Sequence, residues 1–187
     1  MIHQKVKEEH AIVLDFLPHG YPGDTRPMHR KTPIAQAIGK EHFVLLELIP
    51  KKDQFLQPYE EVYLGEGKRE KIHHILGRLP LDRLTETAKH ELEFVIVDLV
   101  KKKEDRFVEF FNNANPINTR RHMLELLPGI GKRHMLDVVK EREEREFTSF
   151  DDIKERVKLI PDPEKVIVKR ILKELNEEDK HRLFTPY

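Results

Sequence analysis

The chain has 187 residues, 36% of them charged and 38% apolar, with a mean hydropathy of -0.63; that length allows one ordinary domain or two small ones, and the periodic apolar blocks exclude a disordered chain. Lys plus Arg and Asp plus Glu both total 34, so there is no global basic field to attract nucleic acid. Cysteine is absent, which excludes disulfides, thiolate catalysis and Cys-ligated zinc.

The first eighty residues read as β structure. His10 to Leu17 is an apolar run of strand length that Pro18, Gly20, Pro22 and Gly23 end. Pro33 to Ile38 and His42 to Pro50 flank Gly39, Lys40 and Glu41, a short hairpin signal. Tyr59 to Leu64 and Glu70 to Leu79 are weaker strand candidates on either side of a Gly65 and Gly67 turn. No helix-length crossover separates these strands, so they predict a small OB-like barrel over 1–80 rather than a parallel sheet.

From Leu81 the period becomes helical. Leu84, Ala88, Leu92, Val95 and Leu99 recur at three or four residues, and Lys101 to Lys103 suit a helix C-terminus. Phe107, Phe110 and Phe111 form an aromatic patch ahead of Asn112 to Asn115, and this Asn-rich stretch with Pro116 is the predicted boundary between an 81–115 connector and a 116–187 all-α domain. The fold class expected is α+β. In the last domain four or five short helices are predicted. Asn118 or Thr119 would cap the first, and Ser149, with Asp152 three residues on, another.

Leu124 to Val139, LELLPGIGKRHMLDVV, carries the most chemistry. Gly129 and Gly131 leave the backbone open to a close anion, and the N–H groups that start the following helix give it a partial positive charge. From Pro116 to Lys140 the basic Arg120, Arg121, Lys132, Arg133 and Lys140 outnumber the acidic Glu125 and Asp137. A shift of 33 residues sets Leu124 on Val157, Leu127 on Ile160, Pro128 on Pro161 and Val138 on Ile171, an apolar repeat. In this register Gly129 meets Asp162 and Gly131 meets Glu164; the second turn is therefore expected to be self-capped and structural.

Residues 119–175, with LPGIGKR as the specific part, resemble a tandem helix-hairpin-helix domain of DNA repair, recombination and ligation proteins. Arg142, Phe147, Ser149, Phe150 and Ile153 resemble the connector between its two copies. The resemblance implies sequence-independent phosphate binding by Gly129, Ile130, Gly131 and Lys132. Nearly the whole chain also resembles an uncharacterised archaeal family in which an OB-like barrel precedes this domain and nucleic-acid binding is the assumed role. An OB-like surface grips single strands with aromatic and basic side chains, here Tyr21, Arg26, Arg30, Lys31, Tyr59 and Tyr63.

The function expected is non-catalytic binding of RNA or DNA, with a ribosome or other translation-linked partner. No cofactor or metal is expected: His73 and His74 are adjacent and would point to opposite faces of a strand, and His90-Glu91 lacks the second His of a zinc-protease pattern. No run of about 18 apolar residues could span a bilayer and no leader is visible, so a soluble cytoplasmic protein without membrane contact is expected. Two rival readings stand beside this one. One is a glycosylase-like repair enzyme using Asp151 or Asp152; the other is an interaction scaffold using the charged helix from Leu81 with Phe107, Phe110 and Phe111.

Overall fold

The computed structural model describes residues 6–176 and 180–187, which fall into two compact units. The first runs to Val95 and includes the C-terminal residues 180–187; the second starts at Ile96. The division lies inside a helix, so the 112–115 stretch belongs to the second unit and the C-terminal segment to the first.

In the first unit β1 (His10–Leu17), β2 (Ile34–Gly39), β3 (Leu45–Pro50), β4 (Glu61–Tyr63) and β5 (Ile72–Arg78) form one antiparallel sheet in the order β4-β1-β2-β3-β5. The first four strands thus have the Greek-key order 4-1-2-3. The sheet curls into a half-barrel, with β4 and β5 as its two edges. Ala11, Val13, Ala35, Ala37, Leu46 and Leu48 line one core, joined by Leu56, Val62 and Ile72. Both faces of β2 are buried, which is why its sequence shows no alternation.

The hairpin between β2 and β3 is built around a carboxylate. Glu8 is 6% exposed and accepts the N–H groups of Glu41 at 3.0 Å, His42 at 2.8 Å and Val44 at 3.3 Å. A Cβ at Gly39 would lie 2.0 Å from the Glu8 Cδ, so only glycine leaves room for this bridge.

Helix α1 (Glu86–Lys102) begins in the first unit. Thr85 caps it, its hydroxyl accepting the Ala88 N–H at 3.0 Å. Leu84, Ala88, Leu92, Val95 and Leu99 are all at most 4% exposed, as the helical period predicts, and Lys101 and Lys102 fill the last turn.

The second unit contains α2 (Glu104–Asn113), a two-stranded ribbon of β6 (Pro116–Asn118) and β7 (Arg121–His122), a 3-10 turn at Met123–Leu126, and helices α3 (Lys132–Glu144), α4 (Phe150–Arg156) and α5 (Pro163–Asn176). The aromatic patch is the buried face of α2, with Phe107 and Phe111 fully buried. Asn118 and Thr119 cap no helix. The Asn118 side chain instead accepts the Arg120 N–H at 2.8 Å and closes the β6–β7 turn. Ser149 caps α4 as expected, accepting the Asp152 N–H at 3.0 Å, while Asp152 reaches back to the N–H of Thr148 at 3.0 Å rather than to Ser149.

His122 caps the 3-10 turn. Its Nδ1 accepts the Leu124 N–H at 3.1 Å, and Glu125 accepts the His122 N–H at 2.8 Å, a reciprocal capping box. Burial pushes the imidazole below its ordinary pKa and the nearby Arg142 adds to this, against a smaller opposing pull from Glu125.

Two stability predictions follow from these caps. Gly39→Ala should displace the Glu8 carboxylate and cost about 2–3 kcal/mol by denaturant titration; an unchanged midpoint would refute the bridge. A neutral His122 stabilises the fold fully above about pH 6.5, and this contribution is lost as pH falls through its depressed folded value. His122→Asn, a cap that does not titrate, should therefore show a smaller drop in Tm than the parent between pH 7 and pH 5, and equal slopes would count against the assignment.

Candidate functional site

The segment Leu124 to Val139 places its glycines at two different tasks. Ile130 N–H bonds to Leu127 O at 3.1 Å across Pro128 and Gly129, and Gly129 has φ +83°, the pattern of a type II turn. Gly131, with φ −94°, is the N-cap of α3. The first bond of α3 runs from Met135 N–H to Gly131 O at 3.0 Å; the N–H groups of Lys132, Arg133 and His134 lie ahead of it, and among the described residues no side chain caps them. Leu124, Leu126, Leu127 and Ile130 are buried and anchor the turn, while Gly129 and Gly131 are exposed. A Cβ at Gly131 would meet nothing within 4 Å.

The second turn has the same hydrogen bond, from Ile160 N–H to Val157 O at 3.4 Å, and the same left-handed residue, Leu159 at φ +60°. Its helix is capped by Asp162, whose Oδ1 accepts the Lys165 N–H at 3.3 Å, with Pro163 first in α5. This corrects the register of 33. The turns repeat at 30, with Gly129 opposite Leu159, and the caps at 31, with Gly131 opposite Asp162, because Pro161 is an extra residue before the second cap. The contrast between an open and a self-capped helix start holds in the new register.

Arg120, Arg121, Lys132, Arg133 and Lys140 are all exposed, and among the described residues none of them enters an ion pair. The basic candidates of the first unit divide. Arg26 forks onto Asp24 at 2.7 and 3.0 Å, and this pairing holds the Asp24 carboxyl well below its usual range, at about 2. Arg30 is exposed at the end of a 3-10 turn and Lys31 follows it half-buried, neither in an ion pair among the described residues.

The tyrosines are committed to the protein. Tyr21 is half-buried, donates to Glu47 and accepts from Gln36 at 3.1 Å; burial and Glu47 both raise its pKa. Tyr63 packs on the Gly65–Gly67 turn and accepts the Gly67 N–H at 3.1 Å. Tyr59 donates to Glu91 and keeps an exposed ring. At the open side of the half-barrel a groove of about 700 Å³ is lined by Val44, Leu46, Leu64, Ile75, Arg69 and Arg78. Its two arginines bond backbone carbonyls, Arg69 that of Gly65 at 3.0 Å and Arg78 that of Tyr187 at 2.5 Å.

His73 and His74 do not point apart. A β-bulge in the β3–β5 pairing leaves His73 without a partner residue on β3, and the two exposed rings meet with their Nδ1 atoms 2.8 Å apart. No cluster of three metal-ligating side chains occurs among the described residues. Asp152 is engaged by Arg145 at 3.0 Å and Arg156 at 3.3 Å as well as by Thr148. Burial raises its carboxyl pKa, but these partners outweigh it and the net shift is downward. Asp151 is exposed and pairs with Lys154 at 3.2 Å. His122 was not legible as a site-supporting residue from residue type, although Glu125 three positions later is the signal of its capping box.

No helix among the described residues is long and apolar enough to cross a membrane. Residues 7–186 match the family model described as "Protein of unknown function (DUF655)". The chain is 46% identical over 182 residues to "Uncharacterized protein MJ0038" of Methanocaldococcus jannaschii, a match covering 96% of this chain and 81% of that protein. It is similar to the crystal structure of Af1531 from Archaeoglobus fulgidus with a TM-score of 0.88 and 46% identity, over 96% of this chain and all of that one. A match across almost every residue, in sequence and in fold, makes the chain a member of the DUF655 family.

Proposed function

We propose that this protein binds nucleic acid without catalysis, gripping the phosphate backbone at the start of α3. The observation that carries the reading is the open helix start: three N–H groups without a side-chain cap, behind an exposed Gly131, with Lys132 and Arg133 beside them. A phosphate oxygen accepts such groups without needing a base contact, so the grip is independent of sequence. Arg120, Arg121 and Lys140 add exposed positive charge on the same segment of chain.

The two turn-and-helix pairs, 123–144 and 150–176, support reading the second unit as a tandem helix-hairpin-helix domain whose first copy binds and whose second is structural. The Greek-key order of the half-barrel supports an OB-like reading of the first unit, with Arg30, Lys31 and the Tyr59 ring as single-strand contacts. RNA and DNA are both accommodated by a phosphate grip. The cytoplasm is the proposed location, and a ribosome or other translation-linked assembly the proposed partner.

Gly131→Glu tests the grip, because the new side chain enters open space at an ordinary φ and the fold should survive. It should weaken binding of a fluorescent duplex by about tenfold or more, the equivalent of one charge-assisted contact, with helical content by circular dichroism unchanged. Equal affinity for variant and parent would sink the proposal. Lys132→Ala should lower the dependence of log K on log salt by roughly 0.9 if the lysine neutralises one duplex phosphate; a slope identical to the parent's would remove that contact.

A further inference from the structure

We propose that Arg170 is a positioning residue for the Leu127–Ile130 turn, fixing from the buried side the direction in which the α3 start faces its ligand. The inference rests on the phosphate reading of that turn. Arg170 lies in α5, with a side chain 1% exposed. Its Nε donates to Glu174 Oε1 at 2.7 Å, and Glu174 is fully buried. Its Nη1 donates to the carbonyl of Leu126 at 3.2 Å.

Leu126 is the last residue of the 3-10 turn. The carbonyls that end a helical turn have no partner within it, and in a dry interior each needs a donor from elsewhere. The planar guanidinium reaches Glu174 and the Leu126 carbonyl in fixed directions, which a lysine ammonium on a flexible stem does not reproduce. The next residue, Leu127, provides the carbonyl that closes the Ile130 turn. On its other side the turn meets Pro161, whose Cγ would lie 3.3 Å from a Cβ at Gly129. The open turn is thus held by the self-capped one at two points, a charged donor on the residue just before it and a proline against its glycine.

Because Glu174 pairs with the guanidinium inside the core, Arg170 acts on the ligand through geometry and not through its charge. This separates it from Lys132 and Arg133, which are exposed.

The test replaces the two members of the buried ion pair together, Arg170→Met with Glu174→Met, since an apolar pair of similar volume tends to preserve stability where a single truncation would leave a buried charge. Three readouts are taken: Tm, amide hydrogen exchange at Ile130, and affinity for the fluorescent duplex. The expected result is a Tm within a few degrees of the parent, exchange at Ile130 at least tenfold faster, and affinity at least fivefold weaker. Unchanged exchange at Ile130 and unchanged affinity in this folded variant overturn the inference. Arg170→Lys, which keeps the charge beside Glu174, is the second variant should the double one not fold; the same loss supports positioning, and full parental exchange and affinity contradict it. A parent that binds no duplex overturns the proposed function alone, and exchange at Ile130 then decides whether Arg170 holds the turn.

Discussion

The first unit depends on one buried amide. Gln36 stands fully buried in the middle of β2, where a polar group without partners would destabilise the sheet by several hydrogen bonds' worth of lost hydration. It has none to spare: its oxygen accepts the Thr85 N–H at 2.8 Å, and its nitrogen donates to the Arg83 carbonyl at 3.0 Å and to the Tyr21 hydroxyl at 3.1 Å. Tyr21 passes the chain of bonds to Glu47 on β3, and Thr85 passes it to Asp15 on β1 at 2.6 Å while capping α1. Three strands, the long loop after β1 and the start of α1 therefore share one network. Their placement is specified by hydrogen-bond geometry as well as by apolar packing, since a shifted register would strand several polar groups at once.

What the sequence made legible follows from local rules. The β1 boundaries could be read because proline and glycine end an apolar run, and the α1 stripe because its period is unbroken from Leu84 to Leu99. The caps at Ser149 and Asp162 were legible because each needs only a side chain and the next turn of helix. The failures are of another kind. The bulge at His73 depends on what β3 offers opposite it, and the role of Asn118 on a two-stranded ribbon too short to show alternation. The repeat register of 33 came from matching apolar positions in the helices, whereas hydrogen bonds and left-handed residues set the turns 30 apart. One inserted residue, Pro161, accounts for the step from 30 at the turns to 31 at the helix caps. For the candidate site, the open helix start was readable from Gly129 and Gly131, but the His122 cap and the Arg170 bond to the Leu126 carbonyl come from cap or long-range geometry that no residue type announces.

The two turns show how one backbone shape is reached by different chemistry. Both need a residue with positive φ, which glycine supplies without cost and leucine does not. Leu159 is 85% exposed, so its side chain recovers little by packing. The helix start after it is closed by its own carboxylate, whereas the start after Gly129 has only solvent or a ligand for its donors. The two helix starts thus differ in who satisfies them: Asp162 closes the second, while the first has no side-chain cap.

The bulge on β5 has a consequence beyond the two histidines it brings together. A half-barrel ends in two strands whose outer backbone groups have no neighbour, and a long flat edge of that kind invites pairing with another chain and growth into fibrils. Strand β4 limits the hazard by being three residues long. Strand β5 spans seven, and there the irregularities at His73 and beside Gly77 break the repeat that an incoming strand would have to match. The edge that leaves the half-barrel open thus offers an incoming strand no regular ladder to extend.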